Sequence, residues 1–253
     1  MRLVRFRSGT RIATGAVEGD FVRPLRGTFF EDPVPTGEDI PLDQVRLLAP
    51  VIPSKIVAVG KNYLDHAQEM GGAVPEEPVI FLKPSTAVIG PDDPIPYPPG
   101  VIRVDPEAEL GLVVGRLARR VPAEEAGRYL LGFTCANDVT ARDLQARDGQ
   151  WTRGKGFDGF APIGPWVETE LDPTDLAVEL RVNGETRQAA RTSQMVVGPN
   201  ELVEFVSAIM TLLPGDVILT GTPAGVAPVQ AGDVVEVEVE GIGVLRNPVA
   251  NGG

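Results

Sequence analysis

"VDPEAELGLVVG", residues 104–115, opens with acids and closes as a run that is apolar on both faces. Leu110, Leu112, Val113 and Val114 leave an extended segment no polar side, the pattern of a strand covered from above and below. Such a strand belongs in the middle of a layered β fold. Ahead of it, Asp105, Glu107 and Glu109 stand two residues apart, so an extended chain places all three on one face. A solvated edge strand, guarded by charge, would explain them if the run stopped there. It continues into a core instead. Carboxylates about 7 Å apart on one face repel unless positive charge lies between them. A hard divalent cation with oxygen ligands, Mg²⁺ or Mn²⁺, meets that need. A third acid is then expected from elsewhere, and Asp138, where the apolar strand of "FTCANDVTARD" (133–143) ends, is the best candidate.

Outward from that stretch, short apolar runs alternate with turns. Residues 1–48 read as a small β unit, bounded by the Pro-flanked "APVIPSK" (49–55). "KIVAVG" (55–60) is a strand, and "NYLDHAQEMGG" (62–72) carries helical spacing to a Gly-Gly stop. "PVIFLKPSTAVIG" (78–90) reads as one or two strands, 91–99 as a Pro-rich connector and 122–130 as a short helix. "LAVELRVNGETRQAA" (176–190) is a hairpin with Asn183-Gly184 at a type I′ turn. "PNELVEFVSAIMTL" (199–212) is the one clear amphipathic helix, and 216–223 and 233–245 are strands. The fold class is mostly β, with few and short helices.

The chain has 253 residues, 43% of them apolar, and a net charge of −12. That balance argues against nucleic acid and anionic membranes as partners, since phosphate recognition needs clustered Lys and Arg. It does not exclude a small anion, because a bound cation reverses the sign locally. Four Lys accompany nineteen Arg, a ratio that reads as codon bias. The lone Cys135 fits an inert buried thiol. No apolar run approaches the roughly 18 residues of a membrane span, and the start has no apolar signal core; a cytoplasmic protein is expected. "GTPAGV" (221–226) lacks the Lys-Ser/Thr ending of a phosphate loop and reads as a tight turn at a pocket floor. Trp151 and Trp166 read as packing residues.

Six segments in this order, "VDPEAELGLVVG", "FTCANDVTARDLQ", "WTRGKGFDGFAPIGPW", "LRVNGETRQ", "TLLPGDVILTGTPAGV" and "GDVVEVEVEGIGVLRN", resemble the fumarylacetoacetate hydrolase superfamily, in particular its short acylpyruvase and hydroxymuconate-isomerase-like members. The resemblance spans roughly 54–248. It implies a fumarylacetoacetase-type mixed β-sheet roll or sandwich with short peripheral helices. It also implies a small N-terminal β domain (1–50), a catalytic domain (51–253) and a homodimer. Carried onto this chain, it makes Glu107, Glu109 and Asp138 the ligands of Mg²⁺ or Mn²⁺, with Asp105 a neighbouring acid outside the ligand set. Lys155 becomes the active-site lysine, His66 and Glu69 a catalytic pair on a lid, and Arg142, Gln145 and Thr222 the contacts to substrate oxygens. Gly156 departs from the Ser that many relatives carry after the lysine. The implied function is divalent-metal-dependent hydrolysis of a C–C bond in an acylpyruvate-like 2,4-dioxo acid. Decarboxylation or isomerisation of an unsaturated 2-oxo or 2-hydroxy diacid in aromatic catabolism, or decarboxylation of oxaloacetate, is the alternative. A non-catalytic metal-binding module is a third, against which His66, Glu69 and Lys155 together count.

Chemistry gives those residue types a reason. A 2-oxo acid offers a carboxylate and a keto oxygen to a cation, which as a Lewis acid stabilises the enolate left when the C3–C4 bond breaks. An ammonium such as Lys155 adds positive charge where oxyanion charge develops. His66 is the only histidine, and Glu69, three residues on, shares its helical face and is placed to orient it. The segment 62–77, ending in "GGAVPEEP", is expected to close over a bound 2-oxo acid.

Overall fold

The Ala108–Val114 strand is buried at every position, and its two faces serve different cores. Ala108, Leu110, Leu112 and Val114 join a large cluster with Leu180, Val237 and Leu245 from a second sheet. Val113 faces the other way, into a cluster with Ile56, Ile163 and Leu219. The apolar-on-both-sides pattern is thus a consequence of layering. The structure, a computed structural model, describes residues 1–31, 33–69, 71 and 75–252.

Within the described residues, the larger sheet has thirteen strands. Its central run pairs Ala161–Glu168, Leu130–Asn137, Ala108–Val114 and Val217–Leu219 antiparallel in that order. Ile56–Gly60 then adds parallel to Val217–Leu219, and Val79–Lys83 closes that side antiparallel. On the other side, Arg2–Ser8 pairs with Ala161–Glu168 through Arg2↔Glu168 and Leu3↔Val167, and so brings the strands of residues 1–50 into the same sheet. A five-stranded sheet, Ile95–Tyr97, Gly243–Asn251, Val234–Val239, Ala177–Val182 and Glu185–Arg191, packs against the large sheet. The chain is mostly β with mixed sheets. Helices are short: α1 (Leu64–Glu69), α2 (Arg142–Asp148), α3 (Thr152–Lys155) and α4 (Pro199–Ile209). No helix among the described residues is long and apolar enough to cross a membrane.

The opening stretch needs one correction. It is not a single strand with three acids on one face. Val104–Asp105 pairs with Thr140–Ala141 in a separate two-stranded sheet, and the chain rejoins the large sheet only at Ala108. Pro106, which has no N–H to give a ladder, stands at the break. The acids are also buried, so the edge-strand explanation falls: Asp105, Glu107 and Glu109 are 0%, 3% and 1% exposed. Other boundaries shift as well. The helix expected over 62–72 runs only Leu64–Glu69, and Met70 and Gly72 of its Gly-Gly end lie outside the described residues, as do Ala73 and Val74 of the expected lid. The Pro-rich connector contains the Ile95–Tyr97 strand, and 233–245 is two strands joined by a turn.

Candidate active site

Two neighbouring strands of the central sheet run, Ala108–Val114 and Leu130–Asn137, deliver carboxyl groups to one end. The break at Pro106 leaves Glu107 facing Asn137, whose Oδ1 accepts the Glu107 N–H at 2.9 Å. Glu109 lies on the same strand face as Val113, away from the core between the sheets. Asp138 follows the last residue of the Leu130–Asn137 strand. One oxygen each from Glu107, Glu109 and Asp138 lies within 4.8 Å of the others, close enough to share a cation. α2 starts directly after Thr140–Ala141, so Arg142 turns back to donate to Asp105 at 2.9 Å, to Glu107 at 2.6 Å and to Gln145 Oε1 at 2.8 Å. Lys155, the last residue of α3, donates to Glu107 and Asp138, both at 2.6 Å.

The result is a chain of alternating charge that leads inward from the exposed Arg103. It runs Arg103, Asp105, Arg142, Glu107, Lys155, Asp138, Lys83, each paired with the next. Burial opposes the charge of Glu107, but Lys155 and Arg142 outweigh it and hold the carboxyl well below the usual range. Burial likewise opposes the ammonium of Lys155, and Asp138 and Glu107 carry it above its ordinary value. Glu109 is different. Among the described residues no cation pairs with it, and its Oε2 accepts only the Gly221 N–H, at 2.6 Å. Burial first, then Asp138 and Glu107, push it well above the ordinary carboxylate range. Of the four buried carboxyls here, Asp105, Glu107 and Asp138 are each paired with cations and Glu109 is not, so the uncompensated charge falls at the triad. A hard divalent ion with oxygen donors fits that donor set and that charge.

A cavity of about 350 Å³ opens above the acids. Its lining brings together Glu107, Glu109, Asp138, Arg142, Gln145 and Lys155 with His66 and Thr222. Glu69 is not in the lining; its carboxylate faces His66 Nδ1 at 3.2 Å and accepts the Gly225 N–H at 3.1 Å. The 221–226 stretch is an irregular loop that serves both groups, through Gly221 to Glu109 and through Gly225 to Glu69. Thr222 Oγ1 accepts from Gln188 Nε2 at 2.8 Å, which leaves its own proton free for the cavity. Asp105 sits behind Arg142, outside the lining. Trp151 packs edge-on to Phe81, with ring centroids 5.2 Å apart. Cys135 is buried, and burial pushes its thiol up to about 12. A larger cleft, of about 700 Å³, lies beside the start of α4, but Asp172 and Glu201 are its only charged lining residues among those described.

Sequence reading passed over three groups here. Lys83 is wholly buried and donates to Asp138 and, at 3.2 Å, to the Val139 carbonyl. Its signal was phase: in Val79–Lys83 it shares the buried face of Phe81. Gln188 fixes Thr222 and accepts the Ala108 N–H at 2.9 Å, a contact across eighty residues that no local pattern reports. Lys61 lines the cavity with a φ of 59°.

A layered, mostly β fold with a buried carboxylate triad beside a His–Glu pair defines a site suited to Lewis-acid and proton-transfer chemistry. The chain belongs to the fumarylacetoacetate hydrolase family: the profile "Fumarylacetoacetate (FAA) hydrolase C-terminal" matches residues 55–250, and "Rv2993c-like, N-terminal" matches 1–50. A solved 5-carboxymethyl-2-hydroxymuconate delta-isomerase from Mycobacterium smegmatis is 50% identical, with a TM-score of 0.94 over 99% of this chain and 100% of that one. The rat mitochondrial oxaloacetate tautomerase Fahd2a is 46% identical over 83% of this chain and 71% of its own. A maleylpyruvate hydrolase from Sphingobium sp. SYK-6, solved with manganese(II) and pyruvate, is 30% identical, with a TM-score of 0.84 over both full chains.

Proposed function

We propose that this chain is a divalent-metal-dependent enzyme of 2-oxo acids that hydrolyses the C3–C4 bond of an acylpyruvate-like 2,4-dioxo acid. The observation that carries the reading is the convergence of triad, Lys155 and His66 on one cavity. Glu107, Glu109 and Asp138 would hold Mg²⁺ or Mn²⁺, which when bound supplies Lewis acidity toward the carboxylate and keto oxygens. Lys155 spends two N–H groups on Glu107 and Asp138, and its third remains to donate to the oxygen that becomes an enolate. Glu69 engages His66 Nδ1 and so leaves Nε2 to accept a proton from water. The water oxygen bonds to C4, the C3–C4 pair passes to the enolate, and C3 is then protonated to give pyruvate and a carboxylic acid.

A second reading is isomerisation, tautomerisation or decarboxylation of a 2-oxo diacid, which the names of the tautomerase and isomerase relatives favour. These reactions need a proton carrier but no attacking water. The test is a screen of acetopyruvate, fumarylpyruvate and oxaloacetate with Mg²⁺, with products identified by mass and enol content by absorbance. Cleavage of a dioxo acid is expected, abolished in His66→Ala, while that variant spares most oxaloacetate decarboxylation. Turnover of oxaloacetate alone would favour the second reading, and equal loss of both activities would end the division of roles.

A further inference from the structure

We infer that Lys61 is a recognition site for a second carboxylate, at the far end of the substrate from its 2-oxo acid group, so that the enzyme selects diacids. The inference rests on the 2-oxo acid reading above. Three observations about this one residue support it.

The first is charge. Among the cations that line the cavity, Arg142 is held by Asp105 and Glu107, and Lys155 by Glu107 and Asp138. His66 is engaged by Glu69. Lys61 makes no ion pair among the described residues, so it is the cavity's uncommitted positive charge. An ammonium in a concave site with no carboxylate partner is complementary to one brought by a ligand.

The second is backbone. A φ of 59° is uncommon for a residue with a side chain, and a glycine would adopt it at no steric cost. The surroundings enforce it. A Cβ on the preceding Gly60 would stand 2.6 Å from the Trp151 ring, so that residue is pinned under the indole. The following Asn62 is tied on all sides, with its amide donating to Val197 and Thr220 carbonyls at 2.9 and 2.8 Å and accepting from the Val197 N–H at 2.9 Å. Strain held in place by its neighbours is a feature of binding sites, where the side chain repays it.

The third is residue choice. The chain writes its positive charges as arginine almost everywhere, yet three of its four lysines, Lys61, Lys83 and Lys155, lie at or against this cavity. Codon bias alone does not distribute them so. A lysine is a compact point charge able to meet a carboxylate from a confined wall.

Two C5 probes isolate the second carboxylate: 2-oxoglutarate and 2-oxopentanoate share the 2-oxo acid end and differ in a terminal carboxylate against a methyl. Titration calorimetry of the Mg²⁺-loaded protein is expected to show 2-oxoglutarate binding roughly tenfold tighter, the scale of one charged hydrogen bond. In Lys61→Met that ratio should fall to about one, and Lys61→Arg should retain a clear preference for the diacid. An unchanged ratio in Lys61→Met overturns the proposal. So does an equal weakening of both probes, which would mean that Lys61 shapes the wall or binds the first carboxylate. Failure of the 2-oxo acid reading looks different: neither probe would bind, or binding would persist in Glu109→Gln without Mg²⁺.

Discussion

Glu109 is a buried carboxyl that no cation pairs with among the described residues. Its carboxyl is raised by burial and by Asp138 and Glu107, so in the metal-free protein the fold favours its neutral form. The stabilisation this gives is full below the ordinary glutamate value of about 4.5 and is lost as pH climbs through the raised folded value. Glu107 has the opposite sign: its contribution is present above the ordinary glutamate value and is lost as pH falls below it. In EDTA, the Tm of Glu109→Gln should therefore gain on that of the wild type as pH rises above the ordinary glutamate value of about 4.5, while the variant's Mg²⁺ affinity collapses. A Tm difference that does not move with pH would refute the assignment of charge. The acids themselves were legible, because three carboxyls leading into an apolar strand need a counter-charge. Lys83 was not, because in "IFLKP" it resembles any strand residue until the fold sets it on Asp138.

Among the elements, those specified by neighbours in sequence were the ones read well. Asn183 and Gly184 have φ of 52° and 79°, the double positive of a type I′ turn, and Val182 pairs with Glu185 across it. Asn183 also ties the turn to the next strand, donating to Asp233 and accepting from the Val234 N–H at 2.9 Å. Gly184→Ala should lower stability by about 1–2 kcal/mol, the cost of a Cβ in the left-handed region, with no change in kcat; denaturant melts of both proteins measure it. An unaffected midpoint would mean that the turn relaxes to another type. The Ile95–Tyr97 strand escaped notice because its partner is Gly243–Asn251, in parallel, some 150 residues on. The split of 233–245 falls at Gly241 and Gly243, both at positive φ, where the apolar positions change phase from Val235, Val237 and Val239 to Ile242 and Val244. Non-local pairing and backbone handedness leave little trace in a hydropathy pattern.

For the molecule as a whole, residues 1–50 matter through the edge they cover. Arg2–Ser8 lies along Ala161–Glu168, and Leu3, Ala16 and Phe29 share a core with Ile163 and Val167. A 51–253 chain would bare that strand edge and its buried apolar groups, each large one worth about 2 kcal/mol, and should aggregate and melt lower than the full chain. Light scattering and a melting curve check this, and a monodisperse fragment with unchanged Tm would count against it. The loop 221–226 has a different kind of reach. It grips the triad with Gly221 and the His–Glu pair with Gly225, so acid and base hang from one short span. A shift of this loop's backbone would therefore move both halves of the chemistry at once, whereas a change elsewhere on the cavity wall would leave their spacing intact.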